Sequence, residues 1–345
     1  MNPKVPTEIS ALRRLSARAK STTLNLGLGQ PAIDMPPALR LLAAEAIAKH
    51  PMGYTPNAGR PELREMVASL YNLDASGVTI CSGAQEGLMA ALTALLSPGD
   101  EVLVPDPGFL AYPTMVRMAG GEPRAFSGDP VAALSERTRA VILCSPNNPD
   151  GSMISAPERS RIETALGDRG IFLLSDDVYS ELAFREPYRP SRSPFAVTIN
   201  SWSKSLALTG WRIGFTHTAH PELRNSLLAA HQYLVTCASA PAQALVLETL
   251  RRPDLYRATI DGFRAEYEKK LRFLSGELKR PCPAGGFYLF LPVVGDDVDA
   301  AERLLTEQDL LAVPGSYFGA RGAGHLRLSA AASMETLERA AKILA

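Results

Sequence analysis

Apolar residues recur along this chain in two alternating textures. Leu39–Lys49 carries them at helical spacing and follows Pro36-Pro37, a favourable place to begin a helix. Pro61–Leu70 is a second amphipathic stretch, opened by Pro61 with Glu62 in its first turn. Val78–Ile80 is a short β-branched run. The nearly all-apolar Ala84–Leu96 follows it as a helix that stops at the turn Ser97-Pro98-Gly99-Asp100. Glu101–Val104, Ala140–Cys144, Ile171–Leu174 and Ala196–Asn200 read as further strands. Ala140–Cys144 (AVILC) and Ile171–Leu174 (IFLL) are apolar without interruption, which suits strands covered on both faces by helices. Strands alternating with helices predict an α/β domain. The Pro- and Gly-containing Pro281–Gly286 begins a different texture. Strands at Phe287–Leu291 and His325–Ser329 and a last helix at Met334–Leu344 predict a smaller α+β domain.

A length of 345 residues is enough for about two such domains, at roughly 100–200 residues each. Thirty-six basic residues balance thirty-six acidic ones, so no net field points to nucleic acid or an acidic membrane surface. Any charged ligand must be met by local groups. Cys81, Cys144, Cys237 and Cys282 are widely spaced and form no CxxC pair. They read as small hydrophobes in a reducing compartment, with neither a disulfide framework nor a zinc site expected. The five histidines have no metal spacing. Residues 1–20 lack the long apolar core of a signal peptide, and no apolar run is long enough for a membrane span. A cytoplasmic location is expected.

Several short segments carry chemistry. Ser201-Trp-Ser-Lys204 places one lysine among small hydroxyls and apolar residues, with Arg212 eight positions on. A lysine in apolar surroundings has a depressed pKa and becomes nucleophilic toward a carbonyl. Hydroxyls and an arginine are what a phosphate needs nearby. The plain alternative is a surface lysine in a polar loop. Ser82-Gly83-Ala84 joins a strand to a helix, where backbone N–H groups and the helix N-terminus favour an anion. Asp176 and Asp177 end an apolar strand, as carboxylates for a site or as a helix N-cap pair. Arg327, between two leucines on a strand, must point opposite to them, toward a site or toward solvent.

Taken in order, these segments resemble the class I/II aminotransferase family, of the aspartate-aminotransferase fold with pyridoxal 5'-phosphate (PLP) as cofactor. S-x-S-K followed by R-x-G, over Ser201–Gly214, looks like the family's cofactor-lysine signature. By that resemblance Lys204 forms a Schiff base with PLP, while Ser201, Ser203 and Arg212 hold the phosphate or orient the lysine. Asp176-Asp177-Val178-Tyr179 is similar to D-E-x-Y. Asp176 would keep the pyridine nitrogen protonated, with Asp177 its rival, and Tyr179 would donate to the cofactor's phenolate oxygen. Asn148, in Asn148-Pro149-Asp150-Gly151, takes the place of the N-P-T-G asparagine that bonds the same oxygen. Asp150 replaces the usual threonine, and both are turn residues. Ser82, Gly83 and Ala84 correspond to a phosphate loop in which a hydroxyl often stands at the position of Ala84, so contact there would come from the backbone. Phe109, in Asp106-Pro-Gly-Phe109, would stack on the ring.

Gly29, in Gly27-Leu-Gly29-Gln-Pro31, and Arg327 would bind the substrate, Arg327 pairing with its α-carboxylate. Tyr54 matches a tyrosine that reaches the phosphate of the neighbouring subunit, which implies a homodimer with shared active sites. The resemblance runs from residue 24 to 329. It implies PLP-dependent transferase fold type I, an α/β fold: a large domain at residues 34–238 with a mostly parallel mixed sheet flanked by helices, and a small α+β domain from residues 1–33 and 239–345. The activity implied is ping-pong amino transfer between an L-amino acid and a 2-oxo acid. A PLP-dependent β-C–S lyase or other α,β-eliminating enzyme shares the same anchors. A non-catalytic PLP-binding regulator would need a DNA-binding domain ahead of the fold, and only about two dozen residues precede the first landmark. No second arginine is evident for a dicarboxylic side chain, although Arg13, Arg14 and Arg18 lie near the N-terminus.

Overall fold

The computed structural model of the protein describes residues 9–31, 34–185 and 189–345. The strand β1 (Leu24–Asn25) pairs in parallel with β10 (Leu310–Leu311), which ties the N-terminal segment to the last third of the chain. Between them lies a seven-stranded sheet made of β2 (Val78–Cys81), β3 (Glu101–Pro105), β4 (Glu122–Phe126), β5 (Thr138–Cys144), β6 (Phe172–Asp176), β7 (Ala196–Ser201) and β8 (Gly214–Thr218). Its order is β2-β8-β7-β6-β5-β3-β4. All pairings are parallel except those of β8, which runs antiparallel to both β2 and β7. The mostly parallel mixed sheet is as expected.

The uninterrupted runs form the inner strands because both of their faces are covered. Val102 and Val104, Ala140 and Ile142, Phe172 and Leu174, and Val197 and Ile199 point one way. They meet α4 (Ala84–Leu95), α5 (Tyr112–Met118) and α8 (Pro221–Val235). Leu103, Val141, Leu143 and Leu173 point the other way and pack on α6 (Ala156–Gly167). At the β2–β8 end, Val78, Ile80 and Phe215 pack with α2 (Pro37–Lys49), α3 (Pro61–Tyr71) and α9 (Ala240–Leu250).

A three-stranded antiparallel sheet follows, ordered β11 (Val313–Pro314), β12 (His325–Ser329), β9 (Tyr288–Pro292). One face, with Leu289, Leu291, Leu326 and Leu328, joins a core with α12 (Met334–Leu344) and with Ala300 and Ala301 of α11 (Asp297–Gln308). The other face, with Tyr288 and Arg327, turns toward the large sheet. A 25-residue helix, α10 (Pro253–Glu277), runs through everything. Tyr256 and Ile260 enter the β2–β8 core, Phe263 and Tyr267 an aromatic cluster with Tyr179 and Phe287, and Leu271 and Leu274 the small-sheet core.

Helix α9, beyond residue 238, packs with the large sheet. Every residue of α9 except Pro241 is buried, and the helix contributes Ala242, Leu245, Val246, Leu247 and Leu250 to the core of the large sheet. The passage from one core to the other falls along α10. Several elements were also not among those expected from periodicity. Strand β4 (EPRAF) is an edge strand with mostly exposed side chains and a proline. Strand β8 (GFTHT) is buried throughout yet polar in sequence.

Truncating a fully buried side chain removes its contacts and leaves a cavity. Leu245→Ala should therefore destabilise the protein by about 2–5 kcal/mol, read as a fall in the thermal unfolding midpoint. An unchanged midpoint would contradict the placement of α9 in the large core.

Candidate active site

Strands β3, β5, β6 and β7 run in parallel and end at one rim of the large sheet. The chain leaving them carries, in order, Phe109 and Tyr112, Asn148, Asp176, and Lys204. Because β8 runs the opposite way, its beginning lies at the same rim. Gly214 is opposite Cys81 on one side and Ser201 on the other. Arg212 is thereby brought beside the Ser82–Ala84 turn. The approach is close: a Cβ on Gly83, whose φ is +84°, would come within 2.7 Å of the Arg212 guanidinium. A Cβ on Gly214 would meet the Asn200 carbonyl at 2.4 Å and the Ala84 nitrogen at 3.2 Å. Helix α4 starts here without a side-chain cap, so its first N–H groups face the rim beside a cation. Arg212 itself has φ +51°, a left-handed conformation rare for a branched chain of this size.

Lys204 sits in α7 (Trp202–Ser205), a single turn whose Trp202, Ser203 and Ser205 are buried. Ser201, just before it, is buried as well. The Lys204 Nζ donates to the carbonyl oxygen of Gly29 at 2.6 Å. Burial pushes its pKa down to about 8, aided by the like charges of Arg327 and Arg212 and opposed by Asp176. An amine with that pKa has a substantial neutral, nucleophilic fraction slightly above neutral pH, whereas an exposed lysine does not.

The strand period separates the two aspartates. Ser175 and Asp177 face one way: the Ser175 hydroxyl donates to Asp177 Oδ1 at 2.8 Å, and Arg159 pairs with both. Asp176 faces the rim. Its Oδ2 accepts from the Tyr112 hydroxyl at 2.7 Å, and its Oδ1 has only a long contact of 3.4 Å from the Val178 N–H. Burial raises its pKa to about 6 against the opposing pull of the Tyr112 bond, with Asp177 adding to the rise.

Arg327 is buried at 2% exposure, which removes the solvent-facing alternative. Its neighbours Leu326 and Leu328 fill the small-sheet core, so the alternation of the strand delivers it to the rim. Nη1 donates to Asn148 Oδ1 at 2.9 Å and Nη2 to the Gly27 carbonyl at 2.5 Å. Its guanidinium lies over the rings of Tyr288 and Phe318, 4.3 and 4.7 Å from their centroids. Among the described residues its Nε has no hydrogen-bond partner. The bond from Arg327 also orients Asn148, leaving the donor end of its amide for another oxygen. Tyr179 is buried, and its hydroxyl pairs with that of Tyr288 at 3.1 Å. Phe109 contacts Tyr112 edge-on, with ring centroids 5.4 Å apart. Asp150 accepts from Asn147 and from Ser152, as a turn residue does, so the departure from threonine keeps the turn.

Tyr54 and the N-terminal arginines Arg13, Arg14 and Arg18 lie outside this chain's cluster. Tyr54 is 91% exposed and takes no part in this chain's own cluster. Arg18 is engaged by Glu302 through two bonds at the surface, and α1 (Ala11–Ser16), which carries Arg13 and Arg14, packs through Leu15 on Leu305 and Leu311. Two residues were missed. Tyr112 lies three residues beyond Phe109, past the end of the Asp106–Phe109 segment singled out for it. Tyr288 shares the face of Arg327 across the β9–β12 pairing, a relation that strand alternation shows only once the register is known. Its hydroxyl occupies the space above Gly29, where a Cβ would lie 1.9 Å from it.

These residues offer complementary ends to one elongated ligand. They present a cationic, N–H-lined turn for a phosphate, an open carboxylate oxygen for a ring N–H, a nucleophilic amine for an aldehyde and an unpartnered guanidinium nitrogen for a carboxylate. PLP supplies the phosphate, the ring N–H and the aldehyde, and an amino acid the carboxylate, so the residues fit the pair. Residues 21–344 match the model of the family described as aminotransferase class I and II. The probable N-acetyl-LL-diaminopimelate aminotransferase of Bacillus subtilis is 34% identical, covering 98% of this chain and 93% of that protein. The aspartate/prephenate aminotransferase of Thermus thermophilus is 32% identical over 99% and 94%. The solved aspartate aminotransferase from Thermus thermophilus with maleate superposes with a TM-score of 0.89 at 29% identity, covering 98% of this chain and 97% of that one.

An aspartate whose pKa rises on folding favours the folded state least when it is ionised. From an ordinary 3.8 to about 6, the penalty is absent below pH 4, grows between pH 4 and 6 and is complete above. In the cofactor-free protein, Asp176→Asn should therefore raise stability at pH 8 by up to about 3 kcal/mol and leave it unchanged at pH 3.5. Denaturant titrations at both pH values check this, and an equal gain at each would contradict the burial of an ionised Asp176.

Proposed function

Because the chain belongs to the aminotransferase class I and II family, we propose that the rim around Lys204 is its catalytic centre. The protein is a PLP-dependent aminotransferase and moves an amino group between an amino acid and a 2-oxo acid in a ping-pong cycle. The bound cofactor supplies an aldehyde for amines to condense with and a protonated ring that draws electrons from the bond being broken. The observation that carries the site assignment is the meeting of a half-buried Lys204 with the buried Asp176 and Arg327, with an Arg327 N–H left over.

In this reading Ser82, Gly83 and Ala84, with Ser201, Ser203 and Arg212, hold the phosphate. Asp176 accepts the ring N–H through Oδ1, Phe109 covers the ring, and Tyr179 and Asn148 donate to its phenolate oxygen. Arg327 receives the α-carboxylate of the substrate, whose entry replaces a backbone acceptor at Nη2 with a charged one. Gly29 gives the substrate room, because any side chain there would collide with Tyr288. Lys204 carries the cofactor at rest. Its Nζ, when free, would take the proton from the substrate α-carbon and deliver one on the way back, a role suited to an amine with pKa about 8.

A homodimer with Tyr54 reaching the partner's phosphate belongs to the same proposal. Tyr54 and Tyr233 are 91% and 88% exposed, and their segments are joined where Asn57 donates to the Thr236 carbonyl at 2.7 Å. Leu234 and Val235 extend this into an apolar patch of the kind subunit contacts cover. We place the enzyme in the cytoplasm on its lone, widely spaced cysteines. No helix among the described residues is long and apolar enough to cross a membrane.

Mixing the PLP-loaded protein with a panel of amino acids, without acceptor, should convert the visible absorption of the lysine-linked cofactor to the near-ultraviolet absorption of its amine form. The fastest amino acid identifies the donor class. Continuous release of ammonia and oxo acid, with the visible band restored each time, would reassign the protein as an eliminating enzyme. Lys204→Ala should lack the visible band as purified and lose at least about a thousandfold in turnover. Turnover near that of the unmodified protein would refute the assignment of Lys204.

A further inference from the structure

Asp176 is held by few donors. Its two protein donors are the Tyr112 hydroxyl at 2.7 Å and the Val178 N–H at 3.4 Å, and only the first is short. Tyr112 is fixed from several sides. It opens α5, its N–H donates to the Phe109 carbonyl at 3.0 Å, and its ring is fully buried in the cluster that holds Met115, Val104 and Ile142. The ring therefore carries its hydroxyl to Asp176 Oδ2, with the Cys144 thiol beside it.

We propose that Tyr112 is a positioning residue for the reaction: its hydroxyl engages one oxygen of Asp176 so that the other is aimed at the ring nitrogen of the cofactor. The inference rests on the reading of Asp176 as the cofactor's carboxylate partner. A short bond from a neutral hydroxyl to an ionised carboxylate fixes the plane of the carboxylate and favours its charged form. Burial keeps the Tyr112 phenol well above its ordinary pKa, so it remains a donor across the working range. The other titratable groups facing Asp176 are Cys144 from β5, Asp177 from its own strand and Lys204 from α7. Cys144 is held neutral by burial, lies against the Tyr112 hydroxyl and donates to the Pro146 carbonyl. Asp177 raises the pKa of Asp176, and Lys204 is bonded to Gly29. No neighbour duplicates what Tyr112 does.

Tyr112→Phe removes the hydroxyl and keeps the ring. The test measures the affinity of the cofactor-free protein for PLP between pH 5 and 8.5, and kcat and KM of the loaded enzyme. Tyr112→Phe should weaken PLP binding about tenfold at pH 7 and move the acid limb of the affinity profile up by about one pH unit. It should also lower kcat while leaving the KM of the amino acid within about twofold. A loss of affinity by the same factor at every pH would mean a structural role only and would overturn the proposal, as would an unchanged profile.

Asp176→Asn separates the layers. If that variant keeps the affinity and acid limb of the unmodified protein, the reading of Asp176 itself fails. If Asp176→Asn loses both while Tyr112→Phe loses neither, only the inference about Tyr112 fails. With the proposal correct, adding Tyr112→Phe to Asp176→Asn moves the limb no further. Should Tyr112→Phe not fold, 3-fluorotyrosine at position 112 supplies a stronger donor and should move the limb to lower pH. No movement there overturns the proposal.

Discussion

A lysine, an aspartate and an arginine cannot share a water-excluded rim unless each finds enough partners to offset its lost hydration. Lys204 has the Gly29 carbonyl, Asp176 the Tyr112 hydroxyl, and Arg327 Asn148, the Gly27 carbonyl and two aromatic faces. Each set of partners is short by at least one group, and the shortfall is where the chemistry is: an amine with lowered pKa, an open carboxylate oxygen, a spare N–H. Much of the fold answers to this. The Gly27 and Gly29 carbonyls are brought in by the β1–β10 pairing, which fastens the N-terminal segment beside the small sheet. Arg327 is brought in by the alternation of β12, and Asn148, Asp176 and Lys204 by three adjacent parallel strands. The reversed strand β8 lets the phosphate cradle be built from two distant segments, because it begins where its neighbours end.

Much of this was legible in the sequence. Uninterrupted apolar runs announced buried parallel strands, and the polar segments that follow them carried the candidate chemistry. What could not be read follows from the limits of periodicity. Strand β8 is polar and buried, and the Thr216 Oγ1 and His217 Nε2 atoms find no partner among the described residues. Sequence pattern gives no warning of such a strand. The choice between Asp176 and Asp177 needed the face of the strand, and one residue decides a face. Arg327 was ambiguous for the opposite reason. Its direction away from the leucines was readable, but whether water or the large sheet lay there depends on tertiary packing. Tyr112 and Tyr288 escaped because their meaning lies in what their hydroxyls touch across 64 and 259 residues of chain respectively, Asp176 and Gly29.

Helix α10 sets a limit on how the chain can change over evolutionary time. Tyr256, Ile260, Phe263, Tyr267, Leu271 and Leu274 form one stripe at steps of three and four, and the stripe crosses three separate cores over roughly 27 Å. Inserting or deleting one residue near its middle would rotate everything beyond by roughly 100°, so only one end of the stripe would still face its core. Surface loops can lengthen or shorten freely, but this segment is a ruler whose length must be inherited unchanged.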